Sequence, residues 1–134
     1  MIVVDTNVIG YLYLASEWSG EVERALLKDP EWAAPLLWRS EFRNVLATYL
    51  HEGLMTLEDA LQLIEEAEAL MQGEEYEITS SQVLKLAAST TCSAYDCEFV
   101  ALAYDLNVPL ITVDKKILAQ FSNVTVALHD FVSA

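Results

Sequence analysis

The chain has 134 residues, a length that suits one domain, and its 54% hydrophobic residues with only 4 Gly and 3 Pro argue against a disordered tail. Its 21 Asp and Glu against 7 Lys and Arg give a net charge of −14, which excludes the broad basic surface usual in nucleic-acid-binding proteins. No apolar segment reaches the roughly 20 residues that span a bilayer, and the start MIVVDTN lacks the features of a signal peptide. We therefore expect one cytoplasmic domain over residues 1–134 that makes no membrane contact.

The first half of the chain predicts two strands and four helices. A β-branched run over residues 2–4 ends at Asp5, and helical spacing follows it. A second helix is expected over residues 17–28, and a brief strand over 32–34. A third helix opens at Pro35 and runs to about His51, where Gly53 ends it. Apolar residues at helical spacing up to Met71 predict a fourth helix, which forms a helical hairpin with the third.

The second half predicts a regular alternation of strands and helices. In chain order we expect a weak strand at 76–78, helices at 80–88 and 94–106, a strand at 109–114, a helix at 115–121, a strand at 124–126 and a short C-terminal helix. Short hydrophobic strands that alternate with helices indicate a parallel sheet covered on both faces. The predicted fold class is therefore α/β, with a central parallel sheet flanked by helices and an added helical hairpin.

Two acidic residues directly follow predicted strands. Asp5 ends the first strand and Asp114 ends the strand at 109–114. In a parallel sheet these positions meet at the carboxyl edge, where open α/β folds bind their ligands. Because Asp is also a favoured helix N-cap, capping alone would explain either residue taken singly.

Two further acids lie on predicted helices. Glu41 falls at the border of an apolar stripe on the third helix, where a partly buried carboxylate needs a partner; the alternative is a salt bridge to one of the few Arg or Lys residues. Asp96 begins the buried stripe of its own helix, although Ser93 and Asp96 also fit the Ser-x-x-Asp capping box. If both side chains point inward, they join Asp5 and Asp114 in one acidic cluster.

Four converging carboxylates would repel one another unless a cation compensates their charge. Oxygen ligands without Cys or His favour hard ions, so Mg²⁺ or Mn²⁺ is the expected cofactor. Such ions activate water and stabilise the charge of phosphoryl transfer, which makes phosphodiester hydrolysis the expected chemistry. The two cysteines, Cys92 and Cys97, form neither a disulfide framework nor a zinc site and are expected to pack in the interior.

The four acids stand in sequence blocks that resemble a known family. These blocks read DTNVIGYLY, WRSEFRNVL, SAYDCEFVALA and LITVDKKIL in chain order. Together they resemble the PIN-domain ribonucleases, in particular the VapC-type toxins of toxin-antitoxin pairs, over nearly the whole chain. The resemblance implies endonucleolytic cleavage of RNA at a Mg²⁺ or Mn²⁺ site, a homodimer, and a cognate antitoxin protein as partner.

The resemblance also implies roles for individual residues. Asp5, Glu41, Asp96 and Asp114 match the family's acidic quartet in order; Asp5, Asp96 and Asp114 would hold the metal, and Glu41 would orient or deprotonate the attacking water. The products would carry 5′-phosphate and 3′-hydroxyl ends. Thr6, Asn7 and Thr112 fall beside the acids at polar positions, but capping or strand packing explains them equally well, so they are not counted as site residues.

Four basic residues lie near the quartet in sequence and could contact the RNA backbone: Arg39, Arg43, Lys115 and Lys116. Solvated helix faces, or pairing with the surplus acids, are equally good explanations for them.

Three other classes of protein share part of this pattern of acidic residues. A phosphatase of the haloacid dehalogenase type would need a second Asp two residues after Asp5, where this chain has Asn7. A receiver domain would carry its acidic residue after a middle strand, whereas the middle of this chain is helical. The remaining alternative is a catalytically inactive PIN-like scaffold that binds metal and acts in protein assembly. It is disfavoured because losing a repelling carboxylate would stabilise such a scaffold.

Overall fold

The computed structural model describes residues 1–134 and contains five strands and eight helices. The strands are β1 (Ile2–Val4), β2 (Trp32–Pro35), β3 (Glu75–Tyr76), β4 (Leu110–Thr112) and β5 (Thr125–Ala127). The helices are α1 (Thr6–Tyr13), α2 (Ser19–Lys28), α3 (Leu37–His51), α4 (Leu57–Met71), α5 (Ser80–Ala88), α6 (Ala94–Leu106), α7 (Lys115–Gln120) and α8 (Leu128–Ser133). The predicted α/β class is confirmed.

All five strands run parallel in one sheet, in the order β3-β2-β1-β4-β5. Strand β1 is central, and its Val4 pairs with Ile111 of β4. Asp5 and Asp114 therefore leave the sheet at the same carboxyl edge, as the sequence predicts for strand ends in a parallel sheet.

The core lies on both faces of the sheet. Every residue of β1, β2 and β4 is buried, and successive side chains of a strand point to opposite faces, so helices must cover both sides. The largest fully buried side chains include Trp32, Trp38, Phe42 and Phe99. Cys92 and Cys97 are free thiols and are both buried, as expected from the sequence.

Helices α3 and α4 form the predicted helical hairpin. The turn between them contains Gly53 at φ 71°, a left-handed conformation that glycine adopts without strain. Helix α3 packs on α1 as well as on α4, so this hairpin covers one side of the carboxyl edge of the sheet. No helix has the length and apolar character that crossing a bilayer would require.

The start of the third helix was predicted wrongly at Pro35. In the structure Pro35 belongs to β2 and pairs with Tyr76 of β3, so α3 begins only at Leu37. This pairing also shortens the predicted strand at 76–78 to Glu75–Tyr76. Both differences come from a contact between segments about 40 residues apart, which local patterns do not contain.

Four other elements have boundaries that differ from the prediction by one or two residues. Helix α2 begins at Ser19, because Ser16 and Ser19 hold a preceding turn through a hydrogen bond from the Ser16 N–H to Ser19 Oγ of 2.9 Å. Strand β4 stops at Thr112 because Asp114 leaves the sheet to cap α7. Helix α7 ends at Gln120, and β5 is shifted to Thr125–Ala127 by its pairing with β4.

Candidate active site

A cavity of about 470 Å³ opens at the carboxyl edge of the sheet, and all four predicted acids line it. Asp5 follows β1, Glu41 lies on α3, Asp96 is in the first turn of α6, and Asp114 precedes α7. The structure therefore brings together side chains that are up to 109 residues apart in sequence (114 − 5). No Lys or Arg lines the cavity, although the charge of Lys116 opposes the rise in the pKa of Asp96.

Asp5 is buried and accepts three hydrogen bonds. Its Oδ1 accepts from the Thr6 N–H at 2.8 Å, and its Oδ2 accepts from Thr112 Oγ1 at 2.7 Å and from Asn7 Nδ2 at 3.4 Å. Burial raises the pKa of Asp5 to about 6, and the charges of Glu41 and Asp96 add to the rise, while the bonds from Thr112 and Thr6 oppose it. The pKa of Asp5 is therefore closer to neutral pH than that of an ordinary Asp.

Glu41 is half-buried and has a hydroxyl as its partner. Thr6 Oγ1 donates to Glu41 Oε1 at 2.7 Å, and Glu41 forms no salt bridge, which rules out the alternative partner considered from the sequence. Burial is the main cause that raises the pKa of Glu41, and the charge of Asp96 adds to it. A carboxylate with a raised pKa is better matched to proton transfer near neutral pH.

Asp96 and Asp114 both take part in helix capping and also line the cavity. Ser93 Oγ accepts from the Asp96 N–H at 3.1 Å, as a capping box predicts, and Asp114 Oδ1 accepts from the N–H groups of Lys116 at 2.9 Å and Ile117 at 3.1 Å. Burial, and then the charge of Asp114, raises the pKa of Asp96. Capping therefore positions these carboxylates at the cavity, and does not compete with a role there.

The residues present fit a hard divalent cation by their chemistry. They are carboxylates that line one cavity, and none of the four forms a salt bridge with Lys or Arg. The charge of another of these acids helps to raise the pKa of Asp5, Glu41 and Asp96. No group of three carboxylate, His or Cys side chains is close enough to form a ready set of ligands. Asp5, Glu41 and Asp114 each accept a hydrogen bond from an N–H or hydroxyl donor of the protein.

Three polar neighbours have clearer roles in the structure than the sequence assigned to them. Thr6 and Thr112 donate to Glu41 and Asp5, and Asn7 has a buried Oδ1 with no hydrogen-bond partner. Their polar positions beside the acids were the signal available in the sequence, but those positions do not show which hydroxyl donates to which carboxylate.

A fifth acid near the site was missed by the sequence analysis. Burial and the charge of Glu41 raise the pKa of Glu98, which lies two residues after Asp96 on α6. No pattern in the sequence separates Glu98 from a solvated helix acid, because the helix that carries Glu41 is remote in the chain.

The four basic residues near the quartet divide into two groups. Arg39 pairs with Glu75 through two hydrogen bonds, Nε–Oε2 at 2.6 Å and Nη2–Oε1 at 2.7 Å, and with Glu68 at 3.2 Å, so pairing with surplus acids is the correct explanation for it. The other three are exposed and form no ion pair: Arg43, Lys115 and Lys116.

Comparisons with known proteins agree with this fold. The family model described as PIN domain matches residues 2–124. Ribonuclease VapC3 of Pyrobaculum aerophilum is 28% identical over 123 residues, which cover 90% of this chain and 94% of that protein. The crystal structure of PAE2754 from Pyrobaculum aerophilum has a similar fold, with a TM-score of 0.77 at 16% identity over 98% of this chain and 86% of that one. The resemblance found in the four sequence blocks is thus confirmed at the level of the family, and the chain belongs to the PIN domain family.

Proposed function

We propose that this protein is a metal-dependent endoribonuclease that hydrolyses RNA phosphodiester bonds, and that it is the toxin of a type II toxin-antitoxin pair. The observation that carries the proposal is the cavity at the carboxyl edge of the sheet, which four carboxylates line without any Lys or Arg. Membership of the PIN domain family and the similarity to ribonuclease VapC3 support the same function.

In this proposal Asp5, Asp96 and Asp114 hold Mg²⁺ or Mn²⁺. A bound ion of this kind supplies positive charge that stabilises the phosphorane-like transition state and lowers the pKa of the attacking water. All three residues offer only carboxylate oxygens, which suit either ion.

Glu41 positions the attacking water and takes its proton. The Thr6 hydroxyl holds one oxygen of Glu41 at 2.7 Å and leaves the other free to face the cavity. The water oxygen forms a bond to phosphorus, the bond from phosphorus to the 3′ oxygen breaks, and that oxygen takes a proton from solvent. The products are a 5′-phosphate and a 3′-hydroxyl.

Four further properties belong to this proposal. The folded unit is one domain over residues 1–134, it works in the cytoplasm as a homodimer, and a cognate antitoxin protein binds it. A protein partner is supported by the exposed apolar side chains near the tip of the α3–α4 hairpin. Leu54, Leu57 and Leu61 are 63%, 63% and 58% exposed there.

Cleavage of a labelled structured RNA by the purified protein tests the function. We expect cutting with Mg²⁺ or Mn²⁺ that stops in EDTA and falls by at least about 100-fold in Asp96→Asn, because one of the proposed ligands of the ion is lost. Asp105→Asn is the matched control: it lies at the other end of α6, is exposed, and should cut normally. Equal inertness of the wild type and Asp96→Asn toward varied RNAs, with both proteins folded, would favour the inactive scaffold instead.

A further inference from the structure

The cavity continues beyond the carboxylates as a groove between α1 and α3. One side is lined by Thr6, Asn7, Gly10 and Tyr11 of α1 and by Leu14, which directly follows that helix. The other side is lined by residues of α3 from Glu41 through Val45 to Tyr49. Eight residues of helix rise by about 12 Å, so each lining face extends well past the acids. We call the end of the groove lined by Tyr11, Leu14, Val45 and Tyr49 the aromatic end.

The residues of the aromatic end are uncharged, and a stacking contact braces one of its two aromatic rings. The Tyr11 ring stacks on Trp18 with ring centroids 4.8 Å apart and an angle of 19° between the planes. Tyr49 is half-buried on the opposite helix, and Val45 is 37% exposed although it is apolar. The Asn44 side chain also lines the groove and offers an amide donor and acceptor.

Charge cannot provide most of the RNA affinity here. The chain carries −14, and only three unpaired cations lie near the acidic quartet in sequence: Arg43, Lys115 and Lys116. Proteins that bind single strands combine a positively charged groove with aromatic side chains on which bases stack, because every base has a ring face. Where cations are few, as here, stacking has to supply a larger share of the affinity. The aromatic end supplies such side chains next to the carboxylates.

We propose that the aromatic end is a binding subsite for the unpaired nucleobase next to the scissile phosphate. The base packs against Tyr49 and Val45 opposite the braced Tyr11 ring, and Asn44 hydrogen-bonds its edge. This inference rests on the proposed function, and it adds the residues that contact a base beside the cleaved bond. A base held in a duplex remains in its stack and cannot enter such a groove.

The proposal is tested with Tyr49→Ala and Tyr49→Phe on a short single-stranded RNA of known cleavage point. Because base stacking contributes about 1–3 kcal/mol, we expect Tyr49→Ala to raise KM by at least about fivefold, and Tyr49→Phe, which keeps the ring, to resemble the wild type. Tyr104→Ala is the control, because Tyr104 is exposed near the far end of α6 and does not line the groove.

A second set of substrates locates the base. An abasic nucleotide placed beside the scissile phosphate should raise KM for the wild type and have little further effect on Tyr49→Ala, since both changes remove the same contact. An unchanged KM in Tyr49→Ala would overturn the subsite, and would indicate that the groove holds something other than RNA, such as a segment of a protein partner. The subsite would also be overturned if the abasic nucleotide raised KM equally in the wild type and in Tyr49→Ala. If the wild type cuts no RNA at all, the proposed function fails, and this inference fails with it.

Discussion

Asp5 is the only acidic residue of the chain that is buried. It is 8% exposed at the end of β1, and its pKa is about 6 in the fold against 3.8 for an unperturbed Asp. Because the folded chain holds the proton more tightly, protonation of Asp5 favours folding. That contribution is fully present below pH 3.8 and is lost as the pH rises through about 6.

Replacing Asp5 should therefore change stability in a pH-dependent way. We expect Asp5→Asn to raise the free energy of unfolding in EDTA by about 2–3 kcal/mol more at neutral pH than near pH 4, because the buried charge is removed. Urea unfolding at both pH values measures this, with Asp105→Asn as an exposed control. A stability change of the same size at both pH values would show that Asp5 is not the buried acid described here.

The Thr6 hydroxyl donates the one hydrogen bond that holds the Glu41 side chain in place. We expect Thr6→Val to lower kcat about tenfold and to move the acidic limb of the pH-rate profile to higher pH, since a donor that favours ionised Glu41 is lost. Thr6→Ser keeps the donor and should restore both values. A loss of kcat in Thr6→Val with an unmoved profile would mean that Thr6 does not act through Glu41.

The sequence predicts the positions of the site residues better than their contacts. Asp5, Asp96 and Asp114 carry a local signal, because each stands where a strand ends or a helix begins. The bond from Thr6 to Glu41 joins residues 35 apart and depends on how α1 packs on α3. Periodicity cannot show that packing, and the same reason hid Glu98 beside Glu41.

Helix α3 carries Glu41 and is anchored to the edge of the sheet by an ion pair. Glu75 of β3 accepts from Arg39 Nε, from Arg39 Nη2 and from Trp38 Nε1, the last at 2.8 Å. The Glu75 side chain is only 10% exposed, so the pair is shielded from solvent more than a surface pair. The hydrogen bond from Arg39 is the main cause that lowers the pKa of Glu75.

Glu75→Gln should destabilise the fold by about 1–3 kcal/mol, because it removes the charged acceptor of Arg39 and Trp38. Since the pKa of Glu75 is lowered in the fold, this difference should be present near neutral pH and shrink as the pH falls below 4.5. Thermal or urea unfolding measures the effect. Glu68→Gln is the matched comparison and should cost less than about 1 kcal/mol, since Glu68 makes one 3.2 Å contact with Arg39. Equal losses in the two variants would contradict the anchoring role of Glu75.

At the level of elements, the strongest predictions are those that depend only on local pattern. Helices α5 and α6 have the predicted bounds. Ser93 caps the start of α6 and Asn107 ends that helix in a left-handed conformation, whereas α5 has no side-chain cap at its start. Strand β2 and the start of α3 were misplaced because β2 pairs with β3 across the intervening hairpin. Where an edge depends on a distant partner, the local sequence is insufficient.

The whole molecule must hold a polyanion despite its own charge of −14. If Arg43, Lys115 and Lys116 are the phosphate contacts, three neutralised phosphates predict a slope of log K against log salt of about −2 for single-stranded RNA. Lys115→Ala with Lys116→Ala should bring this slope to about −0.7, since about one contact remains. Binding of a labelled RNA to Asp96→Asn at several salt concentrations measures it, because that variant should bind without cutting. A slope unaffected by the two substitutions would exclude these lysines as RNA contacts.

The most direct test of the account is to locate Mn²⁺ by anomalous diffraction in crystals of the wild type and of Asp96→Asn. We predict a peak in the cavity, within coordination distance of Asp5, Asp96 and Asp114, and a weaker or absent peak in the variant. A cavity without Mn²⁺ while the ion binds elsewhere, or a peak of equal strength in Asp96→Asn, would contradict it.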